Sequence, residues 1–212
     1  KLGEKWALTA DAEWMSSNGG THTAWEDVAL IREIPGAVIC DPADDVQMEW
    51  IIKEFLKMEG IHYVRSNRKA VRNVYKKGSS FKIGQGNILK EGKDILIIAA
   101  GQLVSEALDC AEELEKEGYS VEVIDMFTIK PLDEKLLIKE AKGKSKIVTI
   151  ENHSIYGGLG SAVSEVIAEN GISVPVKRIG VKEKFGQVGT AEFLQEEFGL
   201  TAKQIKETIC QF

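Results

Sequence analysis

Cysteine is scarce and unpatterned. Cys40, Cys110 and Cys210 are three thiols scattered over 212 residues. An odd, dispersed set excludes a disulfide framework and zinc-ligand spacing. Cys40 and Cys110 stand in apolar segments and Cys210 near the end of a helical one, so all three read as structural thiols of a reducing cytosol. Basic residues are not in excess either: 27 Lys and Arg face 33 Asp and Glu, a net charge of -6. That balance argues against nucleic acid as the main partner. No apolar run approaches a membrane span and no signal peptide stands out, so a cytoplasmic protein is expected. There is no internal repeat, no nucleophile–base pair and no basic–aromatic stripe. The first residue is Lys, so the sequence reads as a processed chain, a fragment or part of a longer record.

What is present is enough to build a core. Hydrophobic residues make up 43% and charged residues 28%, in the range of ordinary globular chains. The length suits one large domain or one and a half small ones. From Asp94 onward the pattern is regular. Ile95-Leu96-Ile97-Ile98-Ala99-Ala100 is an inner strand, and Val104, Ala107, Leu108, Ala111 and Leu114 mark a helix ending at Gly118. A strand within Tyr119 to Met126, a loop at Phe127 to Pro131 and a helix capped by Asp133 follow. Ile147-Val148-Thr149-Ile150 is the next inner strand and Val174 to Ile179 an edge strand. Thr190 opens a short helix, and Thr201 to Gln204 is a capping box for the last one. This alternation predicts an α/β fold, a mostly parallel sheet with helices on both faces.

The first half is less regular. Lys1 to Ser17 holds no period, although Trp6-Ala7-Leu8 has strand character. Thr21 can cap a helix running to Ile34, with Pro35-Gly36 as its stop. Ala37 to Cys40 and Ile61 to Val64 are strands, separated by a helix with Asp44 as its cap. His62 within the second of these reads as a packed histidine. Lys69 to Lys93 changes to Lys, Gly, Ser and Asn, with only Phe81 to Gly84 strand-like, and reads as a crossing between domains.

The organising stretch is Glu151-Asn152-His153-Ser154 followed by Gly157-Gly158-Leu159-Gly160. It places a polar corner at the carboxyl end of an inner strand, where ligands and interfaces gather in open α/β sheets. The three polar residues can form an acid–base or hydrogen-bonding cluster. The glycines do not complete a dinucleotide fingerprint, and close packing of helix on strand, or of subunit on subunit, fits them better. His22 falls in a first helical turn, where anions are favoured. By itself such a histidine is more often solvent-facing. Arg65 and Arg68, past a strand end, can grip a phosphate or carboxylate, although two solvated charges are the commoner case.

Several motifs stand together in one order: Gly20-Thr21-His22 with Glu26 to Leu30 and Ile34-Pro35-Gly36, Asp41 to Asp44, Tyr63-Val64-Arg65 with Arg68, Glu151 to Val163, Arg178 to Val181 with Phe185-Gly186, and Gly199-Leu200-Thr201. In that order they resemble the C-terminal half of transketolase-like thiamine diphosphate enzymes, most closely the C-terminal subunit of two-chain transketolases. The resemblance runs from Asn18 to Cys210. It implies a transferase that moves a two-carbon ketol unit between sugar phosphates in pentose phosphate metabolism, with thiamine diphosphate and Mg in the complete enzyme. It gives His22 a contact with the sugar hydroxyls near the reacting carbons and Arg68 the substrate phosphate, with Arg65 in support. Asn18 stands where the family usually has an acid, and Gly20 where it has Pro.

The same resemblance divides the chain into an unassigned segment 1–17, the end of a pyrimidine-binding domain at 18–75, a linker at 76–93 and a C-terminal domain at 94–212. The family's thiamine-activating glutamate has no match among Glu4, Asp11 and Glu13, and the diphosphate-binding domain is absent. The chain alone is therefore expected to bind no cofactor and to need an N-terminal transketolase subunit or its own missing N-terminal domains. The C-terminal domain is expected to make homodimer contacts, with Glu151, His153, Gly157, Gly158 and Gly160 as an interface or structural corner. Two rival readings are the beta subunit of a 2-oxo-acid dehydrogenase and a non-catalytic dimerisation or regulatory module.

Overall fold

The computed structural model describes residues 25–67 and 70–212, together with the backbone of residues 5–11. Two sheets organise them. The first has the order β1 (Lys5–Asp11), β3 (Gly60–Ser66), β2 (Val38–Cys40), β7 (Thr128–Lys130). The β1–β3 and β3–β2 pairs are parallel, and β2–β7 is antiparallel. The second has the order β4 (Asn87–Lys90), β6 (Val121–Asp125), β5 (Ile95–Ala99), β8 (Lys146–Ser154), β9 (Val176–Val181). It is parallel except for the β4–β6 pair. The result is the mostly parallel α/β architecture expected from the alternation.

Period-two alternation explains how the second sheet buries both faces. Ile95, Ile97 and Ala99 of β5 point into one core, shared with Val104, Ala107, Cys110, Ala111 and Leu114 of α3 (Val104–Lys116) and Ile205 and Ile209 of α7 (Ala202–Gln211). Leu96 and Ile98 point into the opposite core. There they meet Leu137 and Ala141 of α4 (Glu134–Ala141) and Leu159, Val163, Val166 and Ile167 of α5 (Leu159–Glu169). In the first sheet, Val64 and Cys40 pack on Ile51 and Phe55 of α2 (Asp45–Phe55). Tyr63 and Ile39 pack with Val28 of α1 (Asp27–Arg32) on the other side. A short helix α6 (Ala191–Glu197) precedes α7.

Local signals behave as their chemistry requires. Asp44, Asp133 and Thr190 each accept the N3 backbone N–H of the helix they open, and Thr201 with Gln204 forms the capping box. His62 is buried and stacks on Phe55 with ring centroids 4.8 Å apart. Two elements differ from the sequence reading. The expected loop at 127–131 contains β7, which crosses over to extend the first sheet by pairing Ile39 with Lys130 and Cys40 with Thr128. Between 76 and 93 the strand is Asn87–Lys90, not Phe81 to Gly84. Phe81 instead packs its ring edge-on against Tyr75 and Phe127. The Thr21 cap lies outside the described residues. The described helix starts at Asp27 with Glu26 as an N-cap that makes no side-chain cap bond.

Candidate functional site

The strand ends of both sheets converge on one buried polar junction. Along β3 the parity that sends Val64 toward α2 sends Tyr63 and Arg65 to the opposite face, toward α1. The Arg65 guanidinium is 1% exposed. Its Nε donates to Asp27 Oδ2 at 2.9 Å and its Nη1 to Asp41 Oδ2 at 2.9 Å. The Tyr63 hydroxyl donates to Asp27 Oδ2 at 2.6 Å. Burial alone raises a carboxyl's pKa, but the neighbouring Arg65 and the Tyr63 hydrogen bond outweigh it at Asp27, which is held below its ordinary value. Asp41, wholly enclosed, is shifted upward by burial despite Arg65. Burial also acts against the guanidinium, yet the two carboxylates more than offset it and hold Arg65 charged.

The corner after β8 supplies the other half. The register of β8 on β9 passes from Ile150 opposite Ile179 to Ser154 opposite Val181, so extra residues bulge out and re-aim Glu151, Asn152 and His153. All three are buried. Glu151 accepts the backbone N–H groups of Leu159 and Gly160 at 2.7 and 2.8 Å, capping the positive end of α5. Burial pushes its carboxyl up to about 7, against the pull of those two amides. His153 Nδ1 lies 2.7 Å from the Ser154 carbonyl, and its Nε2 faces the backbone N–H of Ala29 at 3.4 Å. A carbonyl can only accept and a backbone N–H only donate, so these two partners suit the neutral ring with its proton on Nδ1. Burial and the nearby Arg65 charge hold its pKa down at about 4.

The glycines are close-packing positions. A Cβ at Gly160 would lie 2.7 Å from Thr149 Oγ1, and one at Gly157 would lie 2.5 Å from Ala29 Cβ. The corner thus packs α5 on β8, and α1 on the corner, within one chain.

A second polar cluster joins the segment after β3 to both sheets. Asp44 accepts the backbone N–H groups of Val74 and Tyr75 at 2.8 and 2.7 Å. Gln47 Nε2 and the Tyr75 hydroxyl both donate to Asp125 Oδ2, at 2.7 and 2.5 Å. Beyond β2 and β3, Pro42, Asp45, Met48, Asn67 and Ala70 line a cleft of about 210 Å³.

Asn18, His22 and Arg68 lie outside the described residues; in the sequence, Arg68 falls between Asn67 and Ala70 of the cleft. Arg65 is enclosed between Asp27 and Asp41, so its geometry is that of a buried ion pair instead of an exposed phosphate contact. Glu151, His153, Gly157, Gly158 and Gly160 meet at the corner. The sequence reading missed Asp27, Asp41, Tyr63 and Asp125 as network members. The available signal was a charged or hydroxyl side chain within, or at the end of, an otherwise apolar strand, as at Tyr63-Val64-Arg65 and Val123-Ile124-Asp125.

Residues 84–205 match the family "Transketolase, C-terminal domain". The chain belongs to the transketolase family. Relatives of this transketolase chain cover nearly all of it. The 6-deoxy-6-sulfo-D-fructose transketolase subunit SqwH of Clostridium sp. (strain MSTE9) is 42% identical over 89% of the chain and 58% of its own length. The putative transketolase C-terminal section of Methanocaldococcus jannaschii is 38% identical over 100% of the chain and 66% of its own length. The chain therefore spans about three-fifths to two-thirds of these relatives. Among solved structures, a split-gene transketolase in the form of an inactive beta4 tetramer superposes with a TM-score of 0.88 and 39% identity, over 97% of this chain and 65% of that one. Its fold is that of a transketolase C-terminal part.

The described residues do not fit the metal of the family cofactor. Among them no three His, Cys, Asp or Glu side chains group to hold an ion. The buried carboxylates are engaged instead: Asp27 and Asp41 by Arg65, Asp125 by Tyr75 and Gln47, Glu151 by two amides. Among the described residues no helix is long and apolar enough to cross a membrane.

Proposed function

We propose that this chain is the C-terminal part of a transketolase that transfers a two-carbon ketol unit between sugar phosphates, and that it works only with an N-terminal transketolase subunit or domain. The similarity over 97% of the chain to a split-gene transketolase carries this reading. That relative's inactive beta4 form supports the expectation that this part alone is inactive and assembles with copies of itself. The partner supplies the groups that hold thiamine diphosphate and Mg.

Within this chain His22 hydrogen-bonds the sugar hydroxyls near the bond that breaks, and Arg68 grips the anionic end of the sugar with a bidentate fork. Asn18 orients a hydroxyl through its amide, without the charge that an acid would bring. Contacts between copies run over exposed surface, because Glu151 and His153 are enclosed. We divide the chain as 18–75, 76–93 and 94–212 around these roles.

The test is ketol transfer by the chain mixed with its N-terminal subunit, thiamine diphosphate and magnesium. His22→Ala should lower kcat at least about 100-fold. Arg68→Ala should raise KM for a phosphorylated sugar much more than for its unphosphorylated analogue. A 6-deoxy-6-sulfo sugar belongs in the same assay, because the SqwH relative is named for one and a guanidinium fork also accepts a sulfonate. Equal losses on charged and uncharged sugars would remove Arg68 from its role.

A further inference from the structure

Helix α1 is too short to hold itself. It spans six residues, Asp27–Arg32, and its N-cap Glu26 makes no side-chain cap bond. A helix of that length is far below what is stable alone, and its terminal N–H and C=O groups need partners. The structure supplies those partners from the C-terminal half of the chain. At the N-terminal end, the Ala29 N–H, third in the helix, is directed at His153 Nε2, where an N-cap side chain would ordinarily accept. Ser154 N–H donates to the Trp25 carbonyl at 2.8 Å, and the Trp25 ring packs edge-on to Phe198 at 4.6 Å. At the C-terminal end, Lys130 Nζ donates to the carbonyls of Arg32 and Ile34 at 2.6 and 2.7 Å. A cation there also matches the negative end of the helix. Arg32 Nη1 donates to the Gly157 carbonyl at 2.9 Å, and its Nη2 pairs with Glu165. Gly157 leaves no room for a side chain against Ala29.

We propose that the C-terminal domain anchors the described end of the segment that carries His22: the β8 corner, through His153 and Ser154, and β7, through Lys130, cap helix α1 at both ends and so hold Trp25, from which the chain leads back to His22. This rests on the reading of His22 as the residue that contacts the sugar. His22 is three residues along the chain from Trp25, a tether of at most about 11 Å, so the anchorage of Trp25 limits where His22 reaches. His153 and Lys130 are then positioning residues for ketol transfer. They act through backbone groups of α1 and do not touch the sugar.

The test uses His153→Leu, which removes the acceptor, His153→Gln, which keeps an acceptor at the end of a similar reach, and Lys130→Met, which removes the cation from the partly buried far end. Amide exchange is read on the whole chain, and kcat and KM on the chain assembled with its N-terminal subunit. His153→Leu and Lys130→Met should each speed exchange in residues 25–33 by about tenfold, the scale of a lost cap, with the β5 strand unchanged. Both should lower kcat by a similar factor, with KM for the sugar within about twofold and His153→Gln restoring most of the loss. Should His153→Leu misfold, Lys130→Met alone decides. Faster exchange confined to β8 and α5, or loosening of 25–33 with kcat unchanged while His22→Ala abolishes turnover, overturns the proposal. If His22→Ala itself leaves kcat unchanged, the reading of His22 fails, and with it the reason to position it.

Discussion

A Cβ placed on Gly158 would stand 2.1 Å from Glu151 Oε2 and 2.6 Å from His153 Nδ1. Neither neighbour can give way, since Glu151 is bound to two amides of α5 and His153 to the Ser154 carbonyl. The backbone of Gly158 is not strained, at φ -87°, so contact alone makes a side chain intolerable. Gly158→Ala should destabilise the chain by at least about 3 kcal/mol, the upper range of overpacking costs. Urea unfolding measures it. A loss below about 1 kcal/mol would show that the corner can open.

Removing Arg65 should cost more than its own contacts suggest. Arg65→Met leaves Asp27 and Asp41 buried without their counter-charge, a loss of about 3–5 kcal/mol. Adding Asp27→Asn should recover part of it, because one of the two stranded charges is gone. A double variant no more stable than the single one would contradict the network as described.

The histidine of the corner makes stability depend on pH. His153 titrates near 4 in the folded chain and at about 6.5 when unfolded. Between those values the unfolded chain binds more protons, so this contribution is complete above about pH 6.5 and is lost as the pH falls toward 4. Relative to the non-titrating His153→Gln, the wild-type chain should lose up to about 1.4 kcal/mol per pH unit across that window. Denaturant midpoints at pH 7.5, 6 and 5 test it. A constant difference would mean that the ring is not held neutral.

Asp125 should behave in the opposite sense. Burial raises its carboxyl to about 7, against about 3.9 when unfolded. The folded chain then binds more protons between those values, and stability falls as the pH rises through them. Asp125→Asn keeps an acceptor for Tyr75 and Gln47 without the charge. Its stability relative to the wild-type chain should improve from pH 5 to pH 7.5 and level off above. An Asn variant that loses ground as the pH rises would contradict this.

The inner strands of the second sheet, β5, β6 and β8, were legible because they are buried on both faces. Ile95 to Ala99 is a continuous apolar run, and helices α4, α6 and α7 carry their own caps at Asp133, Thr190 and Thr201. Strand β7 was not. Three residues have no period, and Thr128 to Lys130 is a strand only because β2 offers its edge. Arg65 shows the other limit. Its place after an apolar run suits a strand end open to a ligand, but the face it takes is decided by parity with Tyr63, and the carboxylates waiting there come from Asp27 and Asp41. The corner was recognisable from Glu151 to Gly160 as a strand-to-helix turn. That it caps a helix of the other half could not be read, because Ala29 and His153 are 124 residues apart.

The most direct measurement is thiamine diphosphate binding by calorimetry in the presence of magnesium, first with this chain alone and then with its N-terminal subunit added. The chain alone should give no binding heat, and stoichiometric binding, followed by ketol transfer, should appear once the partner is present. Tight binding or turnover by the chain alone, or neither with the partner, would contradict this.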